Sequence, residues 1–137
     1  MPAQPIPTPN APNAVGPYSP AVRAGEWVVL SGQLGIDPAT NALVEGGTEA
    51  QARQALANIA AVLGDAGAAI TDVAKAMVLL IDLADFPAVN AVYAEAFGDH
   101  KPARSTFQVA ALPAGASVEI EVWAHTGRRA GGDAASG

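Results

Sequence analysis

Pro102–Ala124 reads PARSTFQVAALPAGASVEIEVWA, and within it two short alternating runs flank a Leu112-Pro113-Ala114-Gly115 turn. In the first run Arg104, Thr106 and Gln108 fall on one side, with Ala103, Ser105, Phe107 and Val109 on the other. In the second, Glu119, Glu121 and Trp123 oppose Val118, Ile120, Val122 and Ala124. Side chains alternate along a strand, so each run predicts a half-buried strand with one face turned to a core. If the two strands are sheet neighbours, one sheet face carries an arginine and two carboxylates. Such a face has a group for an anionic ligand beside groups that can move protons. The plain alternative is a solvated face with an ion pair, typically contributing below about 1 kcal/mol. Trp123 on the same face argues for cover, because a large aromatic is seldom left fully in water.

Upstream, Ala21–Arg23 and Trp27–Ser31 flank Ala24-Gly25-Glu26 and predict a hairpin. Gly32, in Ser31-Gly32-Gln33, predicts a bulge or a close backbone approach. Asp37-Pro38 and Gly46-Gly47 make Ile36–Gly47 a loop with turns. In Thr48–Ala66 the residues Ala52, Ala55, Leu56, Ile59, Val62, Leu63 and Ala66 recur at helical spacing. Thr48 with Gln51 predicts a capping box, and Gly67 stands where a left-handed C-terminal residue belongs. Val73–Asp82 reads as a central strand, and Asp85 as the cap of a second helix running to Phe97. Phe86, Val89, Tyr93 and Phe97 are its inner stripe, and Gly98 closes it.

The predicted order is β-β-α-β-α-β-β, an α+β sandwich with two helices on one face of the sheet. The other face is expected to carry Trp123, Thr106 and residues of the Val73 strand. An open, partly apolar sheet face in a small domain is usually buried by another subunit, so an oligomer is expected.

A chain of 137 residues is one domain with room for a core. Six prolines in 1–17 make that stretch an extended arm, because proline fixes φ and removes a donor. Residues 18–125 form the domain, and the Gly-rich 126–137 is expected to be a flexible tail. Cysteine is absent, which excludes disulfides and thiolate chemistry and fits a reducing cytoplasm. The net charge is −6, and the seven basic residues are scattered apart from Arg128-Arg129. Nucleic-acid binding needs clustered cations, so no nucleic-acid partner is expected. No apolar run approaches the roughly 20 residues of a membrane helix, and the N-terminus has no charged region followed by an apolar one. His100 and His125 stand apart, without the spacing of a metal site.

Several segments stand out together: Ala14-Val15-Gly16-Pro17-Tyr18-Ser19, Leu30-Ser31-Gly32-Gln33, and Gln51-Ala52 with Asn58-Ile59. Asp85-Phe86-Pro87-Ala88-Val89-Asn90 with Tyr93 follows, then Pro102-Ala103-Arg104-Ser105, Leu112-Pro113 and Val118-Glu119-Ile120-Glu121-Val122. In this order they resemble the RidA/YjgF family of small imine deaminases. The resemblance spans about Asn10 to Ala124. It implies a chorismate-mutase-like fold, with a mixed sheet and two helices. It also implies a homotrimer whose sheets close a central barrel, with three clefts between subunits.

Chemically, the resemblance implies hydrolysis of 2-imino acids, or enamine tautomers such as 2-aminoacrylate, to 2-keto acids and ammonia, with no cofactor or metal. Arg104 matches the carboxylate anchor, and a guanidinium fork suits that task. Glu119 matches the carboxylate that positions or activates water. Tyr18 matches a residue closing the cleft, Ser31 and Gly32 its wall, and Asn90 a helix residue near the site. Thr106 stands where many deaminating members have cysteine, and can line the same wall. Each role has a plainer alternative: ion pairing for Arg104, packing of the arm for Tyr18, a structural hydrogen bond for Asn90. A different class of function also remains, a non-catalytic trimer that binds a small carboxylate or acts as a chaperone-like or regulatory module. Endoribonuclease activity, attributed to relatives, fits the acidic chain least.

Overall fold

The computed structural model describes residues 2–127. Its strands are β1 (Gln4–Pro5), β2 (Ala21–Ala24), β3 (Trp27–Leu30), β4 (Gln33–Leu34), β5 (Ile36–Asp37), β6 (Ala42–Leu43), β7 (Val73–Leu80), β8 (Ala103–Gln108) and β9 (Val118–His125). The helices are α1 (Gly47–Asp65) and α2 (Phe86–Phe97). The main sheet runs β1-β2-β3-β9-β7-β8, with β4 also beside β9, and β5 and β6 pair separately within the expected loop. Every pairing is antiparallel except β7 with β8, which α2 connects as a parallel crossover. The result is a mixed α+β fold with two helices on one face of the sheet.

Register fixes the two faces. Ala76, Val78 and Leu80 of β7 align with Val122, Ile120 and Val118 of β9, and all six are buried. They meet Leu56, Ile59 and Leu63 of α1 and Val89, Tyr93 and Phe97 of α2 in one core. A buried side chain of this size contributes about 1.5–3 kcal/mol relative to exposure. The opposite face presents Met77 and Leu79 beside Glu121 and Glu119, with Trp123 47% exposed.

The helix ends differ in how they are closed. Gly67, at φ 76°, ends α1, with Ala68 N–H donating to the Leu63 carbonyl at 2.8 Å. That is the six-to-one bond of a Schellman ending, as expected. The expected capping box is absent. Thr48 Oγ1 instead lies 2.9 Å from Asp85 Oδ2 and 2.8 Å from Ser117 Oγ, and Gln51 Oε1 accepts from Ser117 N–H. The same bonds occupy Asp85, which holds the N-cap position of α2 without capping it. Tertiary partners have taken both side chains, which here knot the starts of α1, α2 and β9.

The proline-rich arm is extended, and Gln4–Pro5 pairs with β2 at the sheet edge. Asn10 then binds the Asp65 carboxylate through its backbone N–H and its Nδ2, at 3.1 and 2.7 Å. Thr126 N–H donates to the Glu26 carbonyl at 2.7 Å. The rest of the expected tail, 128–137, lies outside the described residues. Among the described residues no helix is long and apolar enough to cross a membrane.

Candidate active site

Glu119 sits on the open face of β9, where β3 gives way to β4. Val29 aligns with Trp123, but Gln33 aligns with Ile120, so the register slips by one residue across Ser31-Gly32. This is the expected bulge. It also brings backbone against the carboxylate: a Cβ on Gly32 would stand 2.7 Å from Glu119 Cδ. Only glycine leaves that space.

The bulge forms one wall of a cavity of about 500 Å³ around Glu119, with Tyr18 and Val15 from the arm and Pro113-Ala114 from the turn before β9. Ser31 ties the arm down, donating from Oγ to the Ser19 carbonyl at 2.6 Å and from N–H to the Pro20 carbonyl at 2.9 Å. The hydroxyl is thus engaged as a tether, and Tyr18 is half exposed at the cavity rim. Partial burial raises the Glu119 pKa above the ordinary carboxylate value, and the Glu121 charge on the same face raises it further. Among the described residues Glu119 has no ion-pair partner.

Arg104 lies elsewhere. It aligns with Ala76 in the β7–β8 pairing, which puts it on the helix-covered face, opposite Glu119. Nη1 donates to Asn90 Oδ1 at 2.8 Å. The guanidinium carbon lies 4.7 Å from the Tyr93 ring centroid and 5.2 Å from that of Phe86. A second cavity of about 410 Å³ opens here, lined by Asn90, Tyr93, His100, Lys101 and Arg104. Thr106 aligns with Val78, so it shares the face of Arg104 and lines neither cavity.

Two sequence expectations are therefore corrected. Arg104 and Thr106 do not share a face with Glu119, Glu121 and Trp123. The terminal strands are not neighbours, because β7 lies between them. As the edge strand, β8 buries neither side fully, and Phe107 points to the open face with half its surface exposed. Alternation in such a strand carries no phase relative to the core. The structure gathers Tyr18, Ser31, Gly32 and Glu119 on one side, and Asn90 with Arg104 on the other. Sequence reasoning placed Phe86 and Tyr93 in the inner stripe of α2 and missed their contact with Arg104. The signal was available: Phe86, Asn90 and Tyr93 lie at helical spacing along one face.

On this mixed α+β fold the described residues place a glycine-backed glutamate in one cavity and an arginine without an ion-pair partner in another. The family model described as Endoribonuclease L-PSP matches residues 8–126. The chain is 52% identical over 122 residues to a goat protein named 2-iminobutanoate/2-iminopropanoate deaminase, covering 89% of each chain. It is 47% identical to the human protein of that name, with the same coverage. Its fold matches RidA from an Antarctic Psychrobacter with TM-score 0.85 and 48% identity, covering 89% of this chain and 98% of that one. TdcF from E. coli, solved with bound serine, matches with TM-score 0.86 and 38% identity, covering 90% and 99%. The chain belongs to the endoribonuclease L-PSP family, and the kinship with RidA/YjgF proteins is borne out.

Proposed function

We propose that the protein hydrolyses reactive 2-imino acids and their enamine tautomers, such as 2-iminobutanoate and 2-aminoacrylate, to 2-keto acids and ammonia. The observation that carries this reading is Glu119 against the Gly32 backbone, half-buried in a cavity, with its pKa raised and, among the described residues, no ion-pair partner. A general base works best with a pKa moved towards the operating pH. Relatives at about half identity carry deaminase names, which supports the same chemistry here.

In this reading a water hydrogen-bonded to Glu119 attacks the imine carbon. Starting from the protonated imine, the water's oxygen bonds to carbon as the carbon–nitrogen π pair moves to nitrogen and Glu119 takes one water proton, giving a tetrahedral amino alcohol. Glu119 returns that proton to nitrogen and, again a carboxylate, takes the hydroxyl proton as the carbon–nitrogen bond breaks, so that ammonia leaves and the carbonyl of the keto acid forms. Arg104 holds the substrate carboxylate through its free N–H edge, and Asn90 steadies it. Tyr18 closes the cleft, while Ser31 and Gly32 shape its wall.

Glu119 and Arg104 occupy separate cavities on opposite sheet faces, so a site that uses both needs two chains. A homotrimer whose open sheet faces close a central barrel would bring the β8 edge that carries Arg104 in one subunit beside the Glu119 cavity of the next. Thr106, two residues beyond Arg104 on the same face, would enter the cleft with it. Endoribonuclease chemistry is not favoured, because the chain is acidic and its cations are scattered. The reactions would run in the cytoplasm, where enzymes acting on serine and threonine release such imines.

The test is ammonia release from 2-iminobutanoate and 2-aminoacrylate generated in situ, against a no-enzyme control. Acceleration by the protein that Glu119→Gln abolishes supports the reading. Binding of 2-oxobutanoate without acceleration makes the protein a carboxylate-binding module instead.

A further inference from the structure

Tyr93 presents an anomaly. It is 8% exposed, and its hydroxyl is the one buried side-chain polar atom without a hydrogen-bond partner among the described residues. Leaving a buried hydroxyl unpaired is unfavourable, so a residue that tolerates it is expected to serve through another part of the side chain. The rest of the side chain is fully engaged. One ring face stacks on Phe97 at 4.4 Å, and the Arg104 guanidinium lies 4.7 Å from the ring centroid. Phe86, two helical turns back, gives the same guanidinium a second ring at 5.2 Å. Asn90 lies between them in sequence and fixes Nη1. Arg104 makes no ion pair among the described residues, although the chain carries thirteen acidic residues.

We infer that Phe86 and Tyr93 are positioning residues for Arg104, forming an aromatic platform that holds the guanidinium in place of a carboxylate partner and leaves its charge free for the ligand. The inference rests on the carboxylate-anchoring role proposed for Arg104. The physics favours aromatic rings over an acid here. A carboxylate would neutralise the guanidinium and compete with the incoming carboxylate. Ring faces attract the cation without occupying its N–H donors. An arginine held still before binding also loses less side-chain freedom when it binds. On this account Tyr93 contributes its ring, and its hydroxyl is dispensable.

The experiment measures the affinity of the full-length protein for 2-oxobutanoate by titration calorimetry, alongside kcat and KM for imine hydrolysis. Tyr93→Phe is expected to bind within about twofold of the parent, since the ring is kept. Tyr93→Leu is expected to weaken binding about tenfold, with KM rising and kcat little changed. Phe86→Leu, at a half-buried position, is expected to weaken binding several-fold and keeps the test decidable if Tyr93→Leu does not fold. Equal loss in Tyr93→Phe and Tyr93→Leu would overturn the inference and assign the hydroxyl to the ligand. Parent-like binding by Phe86→Leu and by a folded Tyr93→Leu would also overturn it. A parent that binds 2-oxobutanoate but releases no ammonia defeats the deaminase reading while leaving the platform measurable. A parent that does not bind it removes the anchor, and the platform with it.

Discussion

Arg104 and Glu119 face opposite sides of one sheet: Arg104 aligns with buried Ala76 of β7, whereas Glu119 aligns with Leu79 on the open side. Within one chain they cannot act on one small molecule. The proposed site therefore predicts complementation between defective chains. Arg104→Ala and Glu119→Gln should each be inactive alone. Unfolded, mixed in equal amounts and refolded together, they should recover about a quarter of parental activity, since one in four randomly formed cleft pairings joins two intact halves. Ammonia release from the mixture measures this. No recovery, from mixtures shown to contain hybrid oligomers, would place both residues' roles within one chain.

The carboxylate pair on β9 predicts a pH signature. Burial, then the neighbouring Glu121, raises the Glu119 pKa. A base must be deprotonated to act, so the acidic limb of kcat/KM should lie above the ordinary glutamate range of about 4.3. Glu121→Gln should move that limb to lower pH, because a like charge is removed. Stability has the opposite sense. A raised carboxylate pKa stabilises the folded state below the unfolded value, and this is lost as pH rises through the folded value. Glu119→Gln should therefore raise Tm at neutral pH and change it little at pH 3–4. An acidic limb unmoved by Glu121→Gln would sink the coupling.

Gly32 tests the close approach directly. Its φ is not in the left-handed region, so an alanine there is limited by space alone, and its Cβ would meet Glu119 Cδ at 2.7 Å. The carboxylate must shift. Because the clashing atoms are the flexible carboxyl end of Glu119, Gly32→Ala should change stability little. It should lower kcat roughly a hundredfold through displacement of the base. Thermal melts and steady-state kinetics would show both. Parental kcat in this variant would mean that the Glu119 position is not critical.

How much of this was legible in the sequence varied by element. The apolar spacing of α1 and the Gly67 ending were readable because burial and backbone conformation are local demands. The Gly32 bulge was readable too, since a glycine between strand residues marks a close approach. Thr48 and Gln51 were misread as a capping box because their partners, Asp85 and Ser117, are distant in sequence. The phase of β8 was not legible. An edge strand with Phe107 outward and Arg104 on aromatic rings has no apolar side to announce its orientation.

Asn58 carries a prediction about the cavity wall. It is 2% exposed on α1, and its Nδ2 donates to the Leu34 and Ile36 carbonyls at 3.2 and 2.8 Å. Gln54 Nε2 completes the set by donating to its Oδ1 at 2.9 Å. Leu34 and Ile36 line the Glu119 cavity. Asn58→Leu would leave both carbonyls without this donor and should cost about 2–4 kcal/mol. Activity should fall more than in a core variant of equal stability loss, such as Ile59→Val at raised temperature. Matched losses in the two would reduce Asn58 to a core-packing role.

The open sheet face predicts the assembly. Trp123 and Phe107 leave about half of their surface exposed, beside Met77 and Leu79 on the same side. Clustered large apolar groups on one face of a small domain mark an interaction surface. Its centre also holds Lys75, whose Nζ donates to Ser105 Oγ at 2.8 Å, and the carboxylate of Glu121. A face with apolar groups and both charges can match a copy of itself. Three such faces closed around an axis would bury the indole and place each Arg104 edge beside a neighbouring Glu119 cavity. Sedimentation should show a trimer, with Trp123 fluorescence protected from soluble quenchers relative to Trp27, using Trp27→Phe and Trp123→Phe to separate the signals. Trp123→Asp buries a charge on assembly and should yield monomers that keep their secondary structure but release no ammonia. A stable trimer of Trp123→Asp with parental activity would put the interface elsewhere and remove the two-chain site.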